Sequence, residues 1–169
     1  MKNEKIYLNV NPADCGMYGK AFEKALKARL NLTVKIARQG RTDLRKGGIC
    51  YEVKSGAGEL GNLGGKLVKG SSMVVYVPVV ETAVDENGIF VNLSSCNGYV
   101  LSRENFLTAL DESGAIREKT STAGTRKVTI QTFWNRKENR AHGKLLFRME
   151  EKLEEYAECS LAEWLEMYE

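Results

Sequence analysis

The sequence predicts an α/β domain, and three stretches carry that prediction. Residues 17–30, "MYGKAFEKALKARL", set Ala21, Phe22, Ala25, Leu26 and Leu30 at helical spacing. Residues 43–54, "DLRKGGICYEVK", read as a hairpin, because a Gly-Gly pair tolerates the positive φ of a two-residue turn. Residues 71–80, "SSMVVYVPVV", form the most apolar run and read as a central buried strand.

The remaining elements follow in order. "KIYLNV" (5–10) alternates and predicts a short strand, and "TVKIAR" (33–38) predicts another from its β-branched content. After the hairpin a glycine-rich segment with helical character runs to about Lys69. "GIFVNL" (88–93) and "GYVL" (98–101) read as strands, and Ser102 suits the N-cap of a helix carrying Phe106, Leu107 and Leu110. The polar, turn-rich "REKTSTAGTRK" (117–127) reads as a loop, a linker or a mobile arm, followed by the strand "VTIQTFW" (128–134). Two helices close the chain. One carries Leu145, Leu146, Met149, Leu153 and Tyr156; the other opens on the capping box Ser160-x-x-Glu163 and stripes Leu161, Trp164, Leu165 and Tyr168. Both stripes are expected to pack inward. The expected division is an α/β core over 1–116, with a basic strand and loop region and acidic helices (117–169) packed on it.

Composition excludes several classes. With 169 residues and 43% apolar content the chain can build an ordinary core. No apolar run approaches the ~20 residues of a membrane span, and "MKNEKIYLNV" lacks the apolar stretch of a secretory signal. A soluble cytoplasmic protein with no membrane partner is expected. The four scattered cysteines contain no C-x-x-C pair, and His142 is the only histidine, so a zinc site, a disulfide framework and a Cys-His dyad are all disfavoured. Chemistry must then run on carboxylates, lysine or a bound cofactor.

The hairpin supplies such chemistry. With Gly47 and Gly48 as the turn, Lys46 faces Ile49, Arg45 faces Cys50, Leu44 faces Tyr51, and Asp43 faces Glu52. Opposed carboxylates with Cβ atoms about 4.5–5.5 Å apart repel unless a cation lies between them. Mg²⁺ or Mn²⁺ is the natural candidate, since hard cations take one or two carboxylates together with phosphate. Alternation puts Lys54 on the face of Glu52, where it can steady an attacking water or developing charge on phosphorus.

With "GRTDLRKGGICYEVKSGAGEL" the chain resembles the PD-(D/E)XK nuclease superfamily, Asp43 standing as first acid and Glu52-Val53-Lys54 as the E-x-K. Thr42 stands where the motif's name has proline, and the following segment lacks the Gln of resolvase-like members. The resemblance implies a restriction-endonuclease-like α-β-β-β-α-β core with a mixed sheet over about residues 17–110. It also implies a metal held by Asp43, Glu52 and the Val53 carbonyl. Glu23, in the helix "YGKAFEKAL", is the implied accessory acid, and Lys54 the implied base or charge stabiliser.

Charge adds a partner. Residues 117–149 hold nine Lys/Arg against two Glu, and residues 150–169 hold one Lys against eight Glu. A basic band beside an acidic tail fits a polyanion, unless the two blocks neutralise each other. The expected phosphate track comprises Arg41, Lys66, Lys69, Arg126, Lys127, Arg136, Lys137 and Arg140. DNA is the expected substrate, with RNA or branched DNA as variants. Homodimerisation through the C-terminal helices would supply the two sites a double-strand break requires.

Two alternatives compete. "TFWNRKENR" could serve a non-catalytic nucleic-acid-binding module, with Trp134 expected inward and Phe133 open. Gly56, Gly58 and Gly61, with Glu81 twenty residues on, match a dinucleotide-binding fingerprint. Against the latter, Glu52 and Lys54 sit mid-strand where a doubly covered strand would be apolar. A P-loop fails outright, because Leu60 and Leu67 occupy its opening Gly and its Ser/Thr.

Overall fold

A computed structural model of the chain describes residues 7–8, 15–32, 43–56, 73–86, 88–114, 116–120, 126–130 and 139–168. It is a mixed α/β structure. Strand β1 (Tyr7–Leu8) is followed by helix α1 (Cys15–Arg29), whose last turn carries Lys27 and Arg29 at its negative dipole end. Asn31, with φ 55°, takes the left-handed conformation that ends the helix, and the Leu32 N–H returns to the Lys27 carbonyl at 2.8 Å.

Three of the four counted hairpin pairs form. Strands β2 (Leu44–Lys46) and β3 (Ile49–Ser55) pair antiparallel in the register Lys46↔Ile49, Arg45↔Cys50 and Leu44↔Tyr51. Gly47 (φ 58°) and Gly48 (φ 78°) make the turn, both in the region that L side chains avoid. Strand β4 (Met73–Val77) lies parallel to β3, and its N–H-less neighbour Pro78 ends the ladder short of the expected 71–80 span.

Strands β5 (Thr82–Asp85) and β6 (Gly88–Val91) form a second hairpin, and β6 also pairs with β1. Strand β7 (Tyr99–Ser102) is antiparallel to β4 and leads into α2 (Arg103–Glu112), where the Ser102 hydroxyl accepts from the Asn105 N–H at 3.1 Å as the sequence implied. Most of the stretch expected as a loop (117–127) instead carries β8 (Ile116–Thr120) and the start of β9 (Arg126–Ile130), whose residues 128–130 belong to the expected strand; the two pair antiparallel in a two-stranded sheet among the described residues. The expected division after residue 116 therefore falls inside β8. Helix α3 (Asn139–Tyr156), strand β10 (Cys159–Ser160) and helix α4 (Leu161–Met167) complete the chain. Both halves of the capping box on α4 are made: Ser160 and Glu163 each accept the other's backbone N–H, at 3.1 and 2.8 Å.

The main sheet has the order β10-β7-β4-β3-β2 and is covered on both faces. One face buries Tyr51, Val53, Val75, Val77 and Val100 against Phe22, Ala25 and Leu26 of α1 and Leu161, Trp164 and Leu165 of α4. The other buries Val74, Tyr76, Tyr99 and Leu101 against Phe106, Ala109 and Leu110 of α2 and Met149 and Leu153 of α3. The C-terminal helices thus supply both layers, and the apolar residues of their stripes that the structure resolves as buried lie inside the core. The expected strand at 33–38 and the glycine-rich helical segment lie outside the described residues.

Candidate active site

Strand β3 divides its side chains between the two layers. Tyr51 and Val53 join the α1/α4 core, whereas Glu52 and Lys54 pair in register with Val74 and Tyr76 of β4 and share their face. Glu52 and Lys54 remain only 16% and 23% exposed, and the Lys54 ammonium lies 3.1 Å from Glu52 Oε1. A half-buried ion pair held on adjacent pleats keeps its geometry far better than one at the surface.

Asp43 reaches this strand by a route that differs from the expected ladder pair. Had β2 continued, Asp43 would lie across from Glu52 and residue 42 would take the Val53 N–H. The ladder ends at Leu44 instead. The Asp43 amide turns inward and donates to the Tyr51 carbonyl at 3.2 Å. Its Oδ2 accepts the Val53 N–H at 2.8 Å. The carboxylate therefore replaces the next backbone carbonyl of β2, and it sits at the sheet edge beside the Glu52–Lys54 pair. By alternation the Val53 carbonyl faces the same edge as its N–H.

Electrostatics ties four expected residues together at this edge. Burial pushes the Asp43 carboxyl above its ordinary range; the Val53 N–H opposes that, the charges of Glu52 and Glu23 add to it, and Lys54 offsets it. Glu23 comes from α1, on the opposite face of the sheet from Glu52, and its Oε1 is held 2.7 Å from Lys27. The other two acids each pair with a lysine; Asp43 has the Val53 N–H, two neighbouring negative charges and the offsetting charge of Lys54.

The residues that could hold a divalent ion at this edge are Asp43, Glu52 and the Val53 carbonyl. Among the described residues no three His, Cys, Asp or Glu side chains form a ready cage. Two carboxylates and a carbonyl, Asp43, Glu52 and Val53, match the sparse set Mg²⁺ takes when water and phosphate complete its shell.

The hairpin is fastened from below by residues that sequence reasoning assigned only to the core. Trp164 Nε1–H donates to the Tyr51 hydroxyl at 3.3 Å, with the two rings edge to face at 5.0 Å. Tyr168 packs edge-on to Trp164 at 5.7 Å, and Lys46 stands 5.5 Å over the Tyr168 ring while donating to the Leu30 carbonyl. At the far end of β3 the Tyr76 hydroxyl donates to the Gly56 carbonyl (2.8 Å), and the Gly56 N–H to the Val77 carbonyl (2.9 Å). The aromatic stripe of α4 was the available signal, although nothing in the sequence aimed it at Tyr51.

Arg126 and Lys127 fall in β9, and Arg140 in the first turn of α3. Arg41, Lys66, Lys69, Arg136 and Lys137, with Gly58, Gly61, Phe133 and Trp134, lie outside the described residues. Among those described, no helix is long and apolar enough to cross a membrane. Comparisons with protein-family models, curated proteins and solved structures find no match to the chain.

Proposed function

We propose that this chain is a small metal-dependent nuclease of the PD-(D/E)XK type that hydrolyses DNA phosphodiester bonds with Mg²⁺ or Mn²⁺. One observation carries the reading: the Asp43 carboxylate, half-buried and raised in pKa, closes the edge of β3 through the Val53 N–H beside the Glu52–Lys54 pair. The element order adds support. Helix α1, the β2–β3 hairpin and a β4 parallel to β3 come in the order of a restriction-endonuclease-like core, whose first strand and second helix would fall outside the described residues.

In this reading Asp43, Glu52 and the Val53 carbonyl hold the metal. When bound, it lowers the pKa of a coordinated water and neutralises charge on the scissile phosphate. Glu52 keeps Lys54 in place, so the ammonium is aimed before substrate arrives and serves as base or charge stabiliser. Glu23 acts as the accessory acid through its charge at Asp43. Arg41, Lys66, Lys69, Arg126, Lys127, Arg136, Lys137 and Arg140 form the phosphate track. The dinucleotide alternative loses ground at Gly56, which spends its N–H on Val77 rather than offering it to a phosphate.

Cleavage of plasmid, single-stranded and branched DNA, titrated with Mg²⁺ and Mn²⁺, tests the reading on the wild type, Asp43→Asn and Lys54→Ala. Each variant is expected to lose roughly 10²–10⁴-fold in rate, the usual contribution of a general acid–base group. Equal cleavage by all three proteins removes the site. Salt-sensitive binding with no cleavage by any of them favours a binding module on the same fold.

A further inference from the structure

The β8–β9 ribbon brings four cations and one acid into ten residues, and their register is uneven. Pairing is Ile116↔Ile130, Arg117↔Thr129, Glu118↔Val128, Lys119↔Lys127 and Thr120↔Arg126. Alternation then puts positions 117, 119, 127 and 129 on one face and positions 116, 118, 120, 126, 128 and 130 on the other. The first set is Arg117, Lys119, Lys127 and Thr129; the second is Ile116, Glu118, Thr120, Arg126, Val128 and Ile130. One side of the ribbon thus carries three cations and no acid by position, while on the other Glu118 and Arg126 balance among three apolar residues.

Two features of this ribbon call for an anion. Lys119 and Lys127 occupy directly opposed positions, where like charges destabilise an antiparallel pair. In addition, among the described residues its strands form a sheet of two, a unit of marginal stability in water on its own. A polyanion laid along the cationic face turns the repulsion into attraction and stiffens the pair.

We propose that the β8–β9 ribbon seats in the major groove of duplex DNA, with Arg117, Lys119 and Lys127 on phosphates, which makes double-stranded DNA the substrate class. The inference rests on the nuclease reading above and deepens it. Size matches: five paired residues span about 17 Å at ~3.4 Å each, and the ~12 Å wide groove of B-DNA admits a two-stranded ribbon. The narrow major groove of duplex RNA does not, and a single strand offers no groove.

Fluorescence anisotropy in EDTA tests this on the full chain, with equal-length duplex DNA, duplex RNA and single-stranded DNA, for the wild type, Lys119→Gln/Lys127→Gln and Lys119→Arg/Lys127→Arg. The wild type is expected to prefer duplex DNA. The Gln pair should weaken duplex binding and reduce the slope of log K against log salt by about 2, one unit per lost phosphate contact. The Arg pair should restore both. Removing the opposed charges should also leave the thermal midpoint of the free Gln variant unchanged or higher, so weakened binding reports contact rather than unfolding. A Gln pair with wild-type duplex affinity and slope overturns the ribbon assignment, as does single-stranded DNA or duplex RNA bound as tightly as duplex DNA. If the wild type still cleaves with metal in that case, only the ribbon inference falls. A wild type that neither binds nor cleaves any nucleic acid overturns both.

Discussion

The molecule contains two hairpins that solve the same pairing problem under opposite conditions. The β2–β3 hairpin is an arm of a five-stranded sheet, with β4 alongside, α1 across one face, and Trp164 and Tyr168 beneath its turn. Among the described residues the β8–β9 hairpin forms a two-stranded sheet and places lysine opposite lysine. In the first, neighbours fix the charged groups before any ligand arrives. In the second, the charges themselves argue for a ligand. Chemistry that depends on sub-ångström placement belongs on the former, and adjustable contact with a charged polymer belongs on the latter.

The most disruptive way to erase this contrast is to unfasten the first hairpin. Trp164→Ala removes a side chain that is 2% exposed and touches Tyr51 and Tyr168. It is expected to cost roughly 3–5 kcal/mol in urea unfolding, while amide exchange at β2 and β3 rises toward that of β8 and β9. Retention of full stability would mean the fastening contributes little.

The turn offers a smaller perturbation. Gly47→Ala forces a left-handed alanine at φ 58° and brings its Cβ to 3.1 Å from the Tyr168 hydroxyl. A loss of about 1–2 kcal/mol is expected from the backbone alone. Gly48→Ala meets nothing within 4 Å, so its cost should be the backbone's only. The difference between the two variants isolates the contact with α4.

Much of this arrangement was legible in the residues, for identifiable reasons. The hairpin register followed from Gly47-Gly48, because a two-residue turn leaves one pairing available. The Ser160 capping box and the helical stripe of α1 are local signals, and local signals survive folding. The Asp43–Glu52 ladder pair did not form as counted, because the Asp43 side chain competes successfully for the Val53 N–H that backbone would otherwise take. The strand reading of 128–134 caught the end of β9, but β8 was hidden by its polar residues: Arg117, Glu118 and Lys119 look like a loop until paired. Strand β10 is two residues long and depends on β7, a partner distant in sequence that no local pattern specifies. The link from Trp164 to Tyr51 spans 113 positions and belongs to the same class.

The finest probe of the first hairpin is its pH response. Asp43 is raised in the folded chain above its ordinary 3.8, so folding penalises the ionised form. The folded state then binds more protons than the unfolded one across that window, and stability falls as pH rises from about 3.8 through the raised value. Asp43→Asn keeps an oxygen for the Val53 N–H and removes the charge. Its unfolding free energy should lack this slope, and at neutral pH without metal it should exceed the wild type's. A variant that follows the wild-type slope would place the titration elsewhere.

The central claim is that the β3 edge at Asp43 is built for a divalent cation. Urea unfolding of the wild type and Asp43→Asn at neutral pH, with Mg²⁺ or Mn²⁺ raised at constant ionic strength, tests it most directly. The wild type should gain stability with metal, by about 2.7 kcal/mol at a hundredfold excess over Kd, and Asp43→Asn should gain almost none. No gain in the wild type, or an equal gain in both proteins, would contradict the claim.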